Sequence, residues 1–336
     1  MIQTNNTSLM ISKSYNRQYH TLSVRGTNGD DFYDYERDDR ARYSRNGSNP
    51  SIWIEAGDGD DVIFGSDEGW ETIHGEGGND WLWLRGGGGQ AWGGDGNDVL
   101  VGGTGGDSLL CGTGDDSAFG GRGSDYLRGD EGNDFLSAGE DDDRLAGGIG
   151  NDVIHGGEGI DTVIFGTARS RVRYTVNLSN QNWQNTGEGS DKLIDIENVI
   201  TRQGNDLIIG NESRNNIRSG SGNDVVLGLD GDDEINAQHG DDFIIGGRGF
   251  DDLFGGEGAD NFILTEGFGV DFIKDFGFGD DKIIVGGAGI GEAFEMFNFG
   301  TAVVLSQGDD MLALISNANI DELNVDGNVI TKVPLV

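Results

Sequence analysis

A chain of 336 residues carrying 62 glycines, 2 prolines and 35% apolar residues does not read as ordinary packed helices and sheets, because glycine is costly inside both. Its formal net charge of −38 excludes nucleic acid and anionic membrane surfaces as partners, since both require Lys/Arg clusters. The single cysteine, Cys111, excludes an internal disulfide framework, and no apolar run reaches the length of a membrane span. So much acid in a compact fold demands bound cations, and without them the chain is disordered.

The first residues, MIQTNNTSLMISKSYNRQYH, lack the basic start and apolar stretch of a cleaved secretory signal. Residues 1–50 as a whole are too short and too charged for an independent catalytic domain. They are expected to form an irregular N-terminal cap with one degenerate turn at GTNGDDFYDY.

From residue 51 a period of nine sets in. The stretch GGDGNDVLVGGTGGDSLL at 93–110 is two units of the form Gly-Gly-x-Gly-x-Asp-x-apolar-x. With the aspartate as position six, the first block contains Asp80, Asp98, Asp107, Asp116, Asp125, Asp134, Asp143, Asp152 and Asp161, with Gly89 where one aspartate is missing. Asp61 and Glu71 extend it upstream. A second block contains Asp206, Asn215, Asp224, Asp233, Asp242, Asp251 and Asp260. Two residues after each stands one apolar side chain, from Leu82, Leu100 and Leu109 through to Ile244, Leu253 and Phe262. One inward side chain per unit implies strands of three residues.

The units GGRGSDYLR, GGIGNDVIH, GGEGIDTVI and GGRGFDDLF resemble the calcium-binding nonapeptides of the RTX family. The resemblance implies an all-β fold, a right-handed parallel β-roll in two repeat blocks joined by a connector, with a C-terminal β cap. The residue chemistry agrees: glycine turns bring backbone carbonyls around a point, aspartate adds a hard anionic oxygen, and a donor set without His/Cys clusters favours calcium over zinc or copper.

If two units complete one coil, stacked neighbours lie 18 residues apart and calcium sits between them. One edge of the first roll then carries Asp80, Asp98, Asp116, Asp134 and Asp152, preceded by Asp61, and the other Asp107, Asp125, Asp143 and Asp161. In the second roll one edge carries Asp206, Asp224, Asp242 and Asp260, the other Asn215, Asp233 and Asp251. These aspartates are the expected metal ligands, for about 12 calcium ions.

Positions seven and nine point outward, and successive units alternate between the two faces. One face of each roll is apolar and is expected to pack against other strands. Trp81, Trp83 and Trp92 are a candidate face for a glycan or an apolar partner. The organisation expected is an N-terminal cap at 1–50, a first roll at 51–164, a strand connector at 165–200 and a second roll at 201–263. Residues 264–336 follow as a cap that, by the RTX resemblance, is also the uncleaved signal for a type I secretion channel.

No H-E-x-x-H or G-x-S-x-G motif occurs, and His74, His155 and His239 simply follow the repeat, so no catalytic residue is assigned. The expectation is a secreted, extracellular calcium-binding protein with a structural, adhesive or matrix role. Its partners would be calcium, the type I secretion machinery and an extracellular polysaccharide or cell surface. A polysaccharide-acting enzyme or its carbohydrate-binding module is the alternative, and a small pore-forming RTX-type protein a weaker one.

Overall fold

The computed structural model describes residues 12–17, 20–35, 39, 50–166, 172–265, 269–277, 279–286, 294–307, 310–318, 320–326 and 329–332. Almost all regular structure among them is β, the one helical element being a 3₁₀ turn at Ile320–Glu322. No described helix is long and apolar enough to cross a membrane. The chain divides into two units, residues 1–162 with 189–196, and residues 163–188 with 197–336.

In the first unit, every second nonapeptide returns the chain to the same sheet. One parallel sheet stacks Thr21–Arg25, Ser51–Asp58, Glu71–Gly77, Gly89–Asp95, Ser108–Thr113, Tyr126–Glu131 and Arg144–Ile149. The other stacks Phe32–Asp34, Val62–Phe64, Trp81–Gly86, Val99–Thr104, Ser117–Arg122, Phe135–Glu140, Val153–Glu158 and Ser190–Ile194. The register places like positions of the repeat side by side, as in Leu109 beside Leu127 and Leu127 beside Leu145. Inward rows of single apolar residues result, with Ile63, Leu82, Leu100, Ala118, Leu136 and Ile154 all buried.

The second unit repeats the scheme. Asn198–Ile200, Asn216–Arg218, Glu234–Asn236, Asp252–Phe254 and Asp271–Ile273 form one parallel run. Thr175–Asn177, Leu207–Ile209, Val225–Asp230, Phe243–Arg248, Asn261–Thr265 and Lys282–Gly286 form the other. Antiparallel strands then end both sheets: Asp310–Ser316, which lies parallel to Asp271–Ile273, pairs with Ala302–Gln307, and Val329–Lys332 pairs with Lys282–Gly286.

Three expectations need correction. Most strands of the first block are six to eight residues long, as in Val99–Thr104 and Ser51–Asp58, because the chain stays extended through the first glycines of the next unit. Position one therefore also faces inward, and where it is not glycine it joins the core, as Ala56, Leu84, Cys111 and Ala138 do. The N-terminal residues that can be described are no irregular segment: Thr21–Arg25 and Phe32–Asp34 continue the two sheets and bury Leu22, Val24 and Tyr33. The apolar outer face of the first unit is not covered, since Trp81 is 50% exposed and Phe119 and Phe135 are exposed beside it.

A fully buried leucine contributes about 2–3 kcal/mol, whereas fixing one residue's backbone costs about 1–2 kcal/mol, so the inward leucine offsets only a couple of the nine residues it must order. Each such side chain is correspondingly important. Leu127→Ala, between Leu109 and Leu145, is expected to destabilise the calcium-loaded protein by about 2–5 kcal/mol, read from the urea midpoint at fixed excess calcium.

Candidate metal centre

The turns at the sheet edges are built by glycine where the chain has no room for a side chain. Gly96 has φ +128°, and a Cβ there would run into the carbonyl of Gly78 in the coil below. Leu229, at the second position of its repeat and beside Gly247, also adopts a positive φ of +84°, a conformation uncommon for its kind.

Stacked turns are joined by their aspartates in one repeated pattern. The backbone N–H of Asp80 donates to Oδ1 of Asp98 at 2.8 Å, Asp98 to Asp116 at 2.6 Å, and Asp116 to Asp134 and Asp134 to Asp152 at 2.9 Å each. The opposite edge links Asp107 to Asp125, Asp125 to Asp143 and Asp143 to Asp161 in the same way. In the second unit Asp206 donates to Asp224, Asp224 to Asp242 and Asp242 to Asp260, while Asn215 donates to Asp233 and Asp233 to Asp251.

One oxygen of each of these carboxylates except that of Asp107 is thus accounted for. The other, Oδ2, is buried without a hydrogen-bond partner in Asp61, Asp80, Asp98, Asp116, Asp125, Asp134, Asp143, Asp233, Asp242, Asp251 and Asp260, whereas a hydroxyl stands against the carboxylates of Asp206 and Asp224. A buried, unpartnered carboxylate oxygen is costly in a protein interior unless a cation meets it. Where position one of the repeat is glycine, as beside Asp80, Asp98, Asp125, Asp134, Asp233, Asp251 and Asp260, Oδ2 also faces a small cradle. A Cβ built on Gly93 would collide with Oδ2 of Asp98 and come within 2.5 Å of the Cys111 carbonyl in the next coil. Gly120 is placed likewise against Asp125 and the Ala138 carbonyl. Carboxylate and carbonyl oxygens converging on a space too tight for a methyl group are hard donors of the kind calcium takes. Bound there, calcium would supply the positive charge that these oxygens lack.

The columns extend beyond the periodic residues. Asp31 donates its N–H to Asp61, Asp61 to Asp80, and Asp152 to Asp191 across 39 residues. Downstream, Asp260 donates to Asp281, and Asp271 lies against Asp251. Sequence reasoning missed Asp191, Asp271 and Asp281 because insertions break the period of nine before each, and it marked the turn that holds Asp31 without assigning Asp31 as a ligand because 30 residues separate it from Asp61. Every other aspartate expected as a ligand lies in one of these columns. Gly89 supplies no carboxylate to its column, and Glu71, one coil earlier, is bonded by the Ser66 hydroxyl. Asn215 differs too, since its Nδ2 donates to the Glu197 carbonyl at 2.7 Å.

Burial raises these carboxyl groups from the ordinary 3.8. Asp61, Asp80, Asp107, Asp116, Asp125, Asp143, Asp233 and Asp242 rise to about 7. Asp98, Asp134, Asp224 and Asp260 rise to about 6. The backbone N–H received by each opposes the shift, and neighbouring carboxylates reinforce it in most of them.

The three tryptophans do not share a face. Trp81 and Trp83 lie on the strand Trp81–Gly86, in the sheet that also exposes Phe32, Phe119 and Phe135. Trp92 lies in the other sheet, one nonapeptide later, its ring stacked on His74 at 4.4 Å and 2°. Since units alternate between sheets, the separation of Trp83 and Trp92 by nine residues already requires this. His155 bonds Asp195 at 2.9 Å on the outside of the roll.

The RTX calcium-binding nonapeptide repeat family matches residues 53–82, 66–89, 92–127, 112–145, 128–163, 200–235 and 237–270, more than half of the chain. The chain belongs to this family of calcium-binding repeats. No curated protein matches it. Among solved structures it is similar to the extracellular lipase LipA from Serratia marcescens, with 16% identity and a TM-score of 0.30 over 85% of this chain and 45% of the lipase. That likeness is too loose to bear on fold or activity, and the chain spans less than half the length of that enzyme.

The raised carboxyl groups fix the sign of the pH dependence. Because their folded values of about 6–7 exceed the ordinary 3.8, the metal-free ladder is favoured in acid and loses that stability as pH rises through about 7. Calcium must displace the same protons. Lowering pH from about 8 to about 6 is expected to raise the calcium concentration needed for folding about tenfold or more, with proton release on binding, measured by circular dichroism and a weakly buffered titration.

Proposed function

We propose that this protein is exported and remains extended until it meets extracellular calcium, whereupon ion binding and folding of the roll are one event. The observation that carries this reading is the column of buried, unpartnered Oδ2 atoms, which gives the folded chain a large unfavourable term above about pH 7 that bound cations relieve. Members of the RTX family are generally exported by type I secretion, which supports passage as an unfolded chain through a compartment poor in calcium. Extracellular calcium modules work at Kd values of about 10⁻⁴ to 10⁻³ M, a range that keeps the chain unfolded inside and folded outside. About 12 ions held by the aspartate columns would bring the formal charge of −38 to about −14.

The folded roll acts as a structural or adhesive element of the cell exterior. Its contact surface is the uncovered face of Phe32, Trp81, Trp83, Phe119 and Phe135, which offers flat apolar area for an extracellular polysaccharide or a cell surface.

Calcium titrated into chelated protein is expected to give a cooperative gain of β signal in the far ultraviolet, at submillimolar to millimolar concentration. A complete β signal in excess chelator would overturn the reading. Asp134→Ala, in mid-column, is expected to raise the calcium midpoint about tenfold, and His155→Ala to leave it unchanged. The adhesive role is checked by co-sedimentation of the calcium-loaded protein with an alginate-type polysaccharide, with Trp81→Ala as the comparison that should lose binding.

A further inference from the structure

The cradles differ along the chain, and in the second unit they differ by edge. Beside Asp233 and Asp251 position one is Gly228 and Gly246, and a Cβ on either would collide with Oδ2 of the same repeat. For Gly228 it would also meet the Gly246 carbonyl of the next coil. Beside Asp206, Asp224 and Asp242 the same position holds Thr201, Ser219 and Ala237, all buried.

Two of these side chains do what an ion would otherwise do. The Thr201 hydroxyl donates to the Ser219 carbonyl at 2.7 Å, and the Ser219 hydroxyl donates to the Ala237 carbonyl at 3.2 Å. These are the position-one carbonyls of the next coil, equivalent to the Gly246 carbonyl that faces the cradle of Asp233. Each hydroxyl oxygen also stands beside the carboxylate of its own repeat, Asp206 or Asp224, and the Arg173 guanidinium adds positive charge near Asp206. A hydroxyl placed between carboxylate and carbonyl occupies the space the glycine leaves open and satisfies the carbonyl with a proton instead of a cation.

We propose that the two edges of the second unit have different chemistry: calcium is held at the glycine-lined turns of Asp233 and Asp251, whereas at Asp206 and Asp224 the hydroxyls of Thr201 and Ser219, respectively, replace the ion. This rests on the calcium reading above and divides its sites. The Thr201–Ser219–Ala237 column is a metal-independent seam, and folding of this unit couples to calcium through the opposite edge.

The test counts calcium bound by the full-length protein, by native mass spectrometry and equilibrium dialysis, with circular dichroism at saturating calcium to verify folding. Asp224→Asn is expected to leave the count unchanged and Asp233→Asn to lower it by about one. Ser219→Gly should raise it by about one, and the mirror change Gly228→Ser should lower it. Should Gly228→Ser not fold, the comparison of Asp224→Asn with Ser219→Gly decides alone. Equal losses from Asp224→Asn and Asp233→Asn, or an unchanged count in Ser219→Gly, would overturn the proposal while leaving the calcium reading intact. Absence of any calcium uptake by the wild-type chain would overturn that reading itself.

Discussion

Everything in this fold depends on how each turn aspartate divides its two oxygens. Oδ1 caps a backbone N–H one coil away, which fixes the distance between coils, and Oδ2 is thereby held inside the turn with no protein donor to meet it. The first interaction makes the stack geometrically possible and the second makes it electrostatically untenable alone. A cation relieves the conflict without disturbing the hydrogen bond. The ion therefore completes the polar interior of the turns, in place of the apolar interior that a roll this thin lacks.

The thinness follows from the strand pattern. Two sheets that meet through single rows, such as Leu100 to Leu136 on one side and Leu109 to Leu145 on the other, leave no second layer in which packing could compensate for a lost contact. Both outer faces are free of that duty. One can carry a Trp–His stack at Trp92 and His74 and the other a spread of exposed aromatics without altering the coil.

Most of this was legible in the residues, because a period of nine with fixed glycine, aspartate and leucine positions specifies strand, turn and ligand together. What escaped did so for definable reasons. Asp191 and Asp281 lie 39 and 21 residues from their partners, so insertions hid them from a search at constant spacing. Position one looked like a turn glycine, and only the extended backbone past position nine reveals that it faces inward, as Cys111 and Ala138 show. Trp92 stands close to Trp81 and Trp83 in sequence, but the alternation of units between sheets already assigns it to the opposite side. The distinction between glycine and hydroxyl cradles is visible in Thr201 and Ser219, but its meaning needs the carbonyl each hydroxyl reaches.

The bonds between the buried aspartates all run one way, the upstream turn giving its N–H and the downstream turn its oxygen, whereas the exposed ladder one residue earlier, as from Asn97 to Asn79 and Asp115 to Asn97, runs the other way. The two ends of a stack are therefore chemically unequal. A coil removed from the N-terminal side leaves behind a carboxylate oxygen of the buried ladder and an amide of the exposed one, and water reaches the exposed amide readily. A coil removed from the C-terminal side strands an amide inside a closed turn, and in the second unit Asp281 prevents this by accepting the N–H of Asp260. The buried ladder thus has a grain, and its last acceptor must be supplied from outside the repeat.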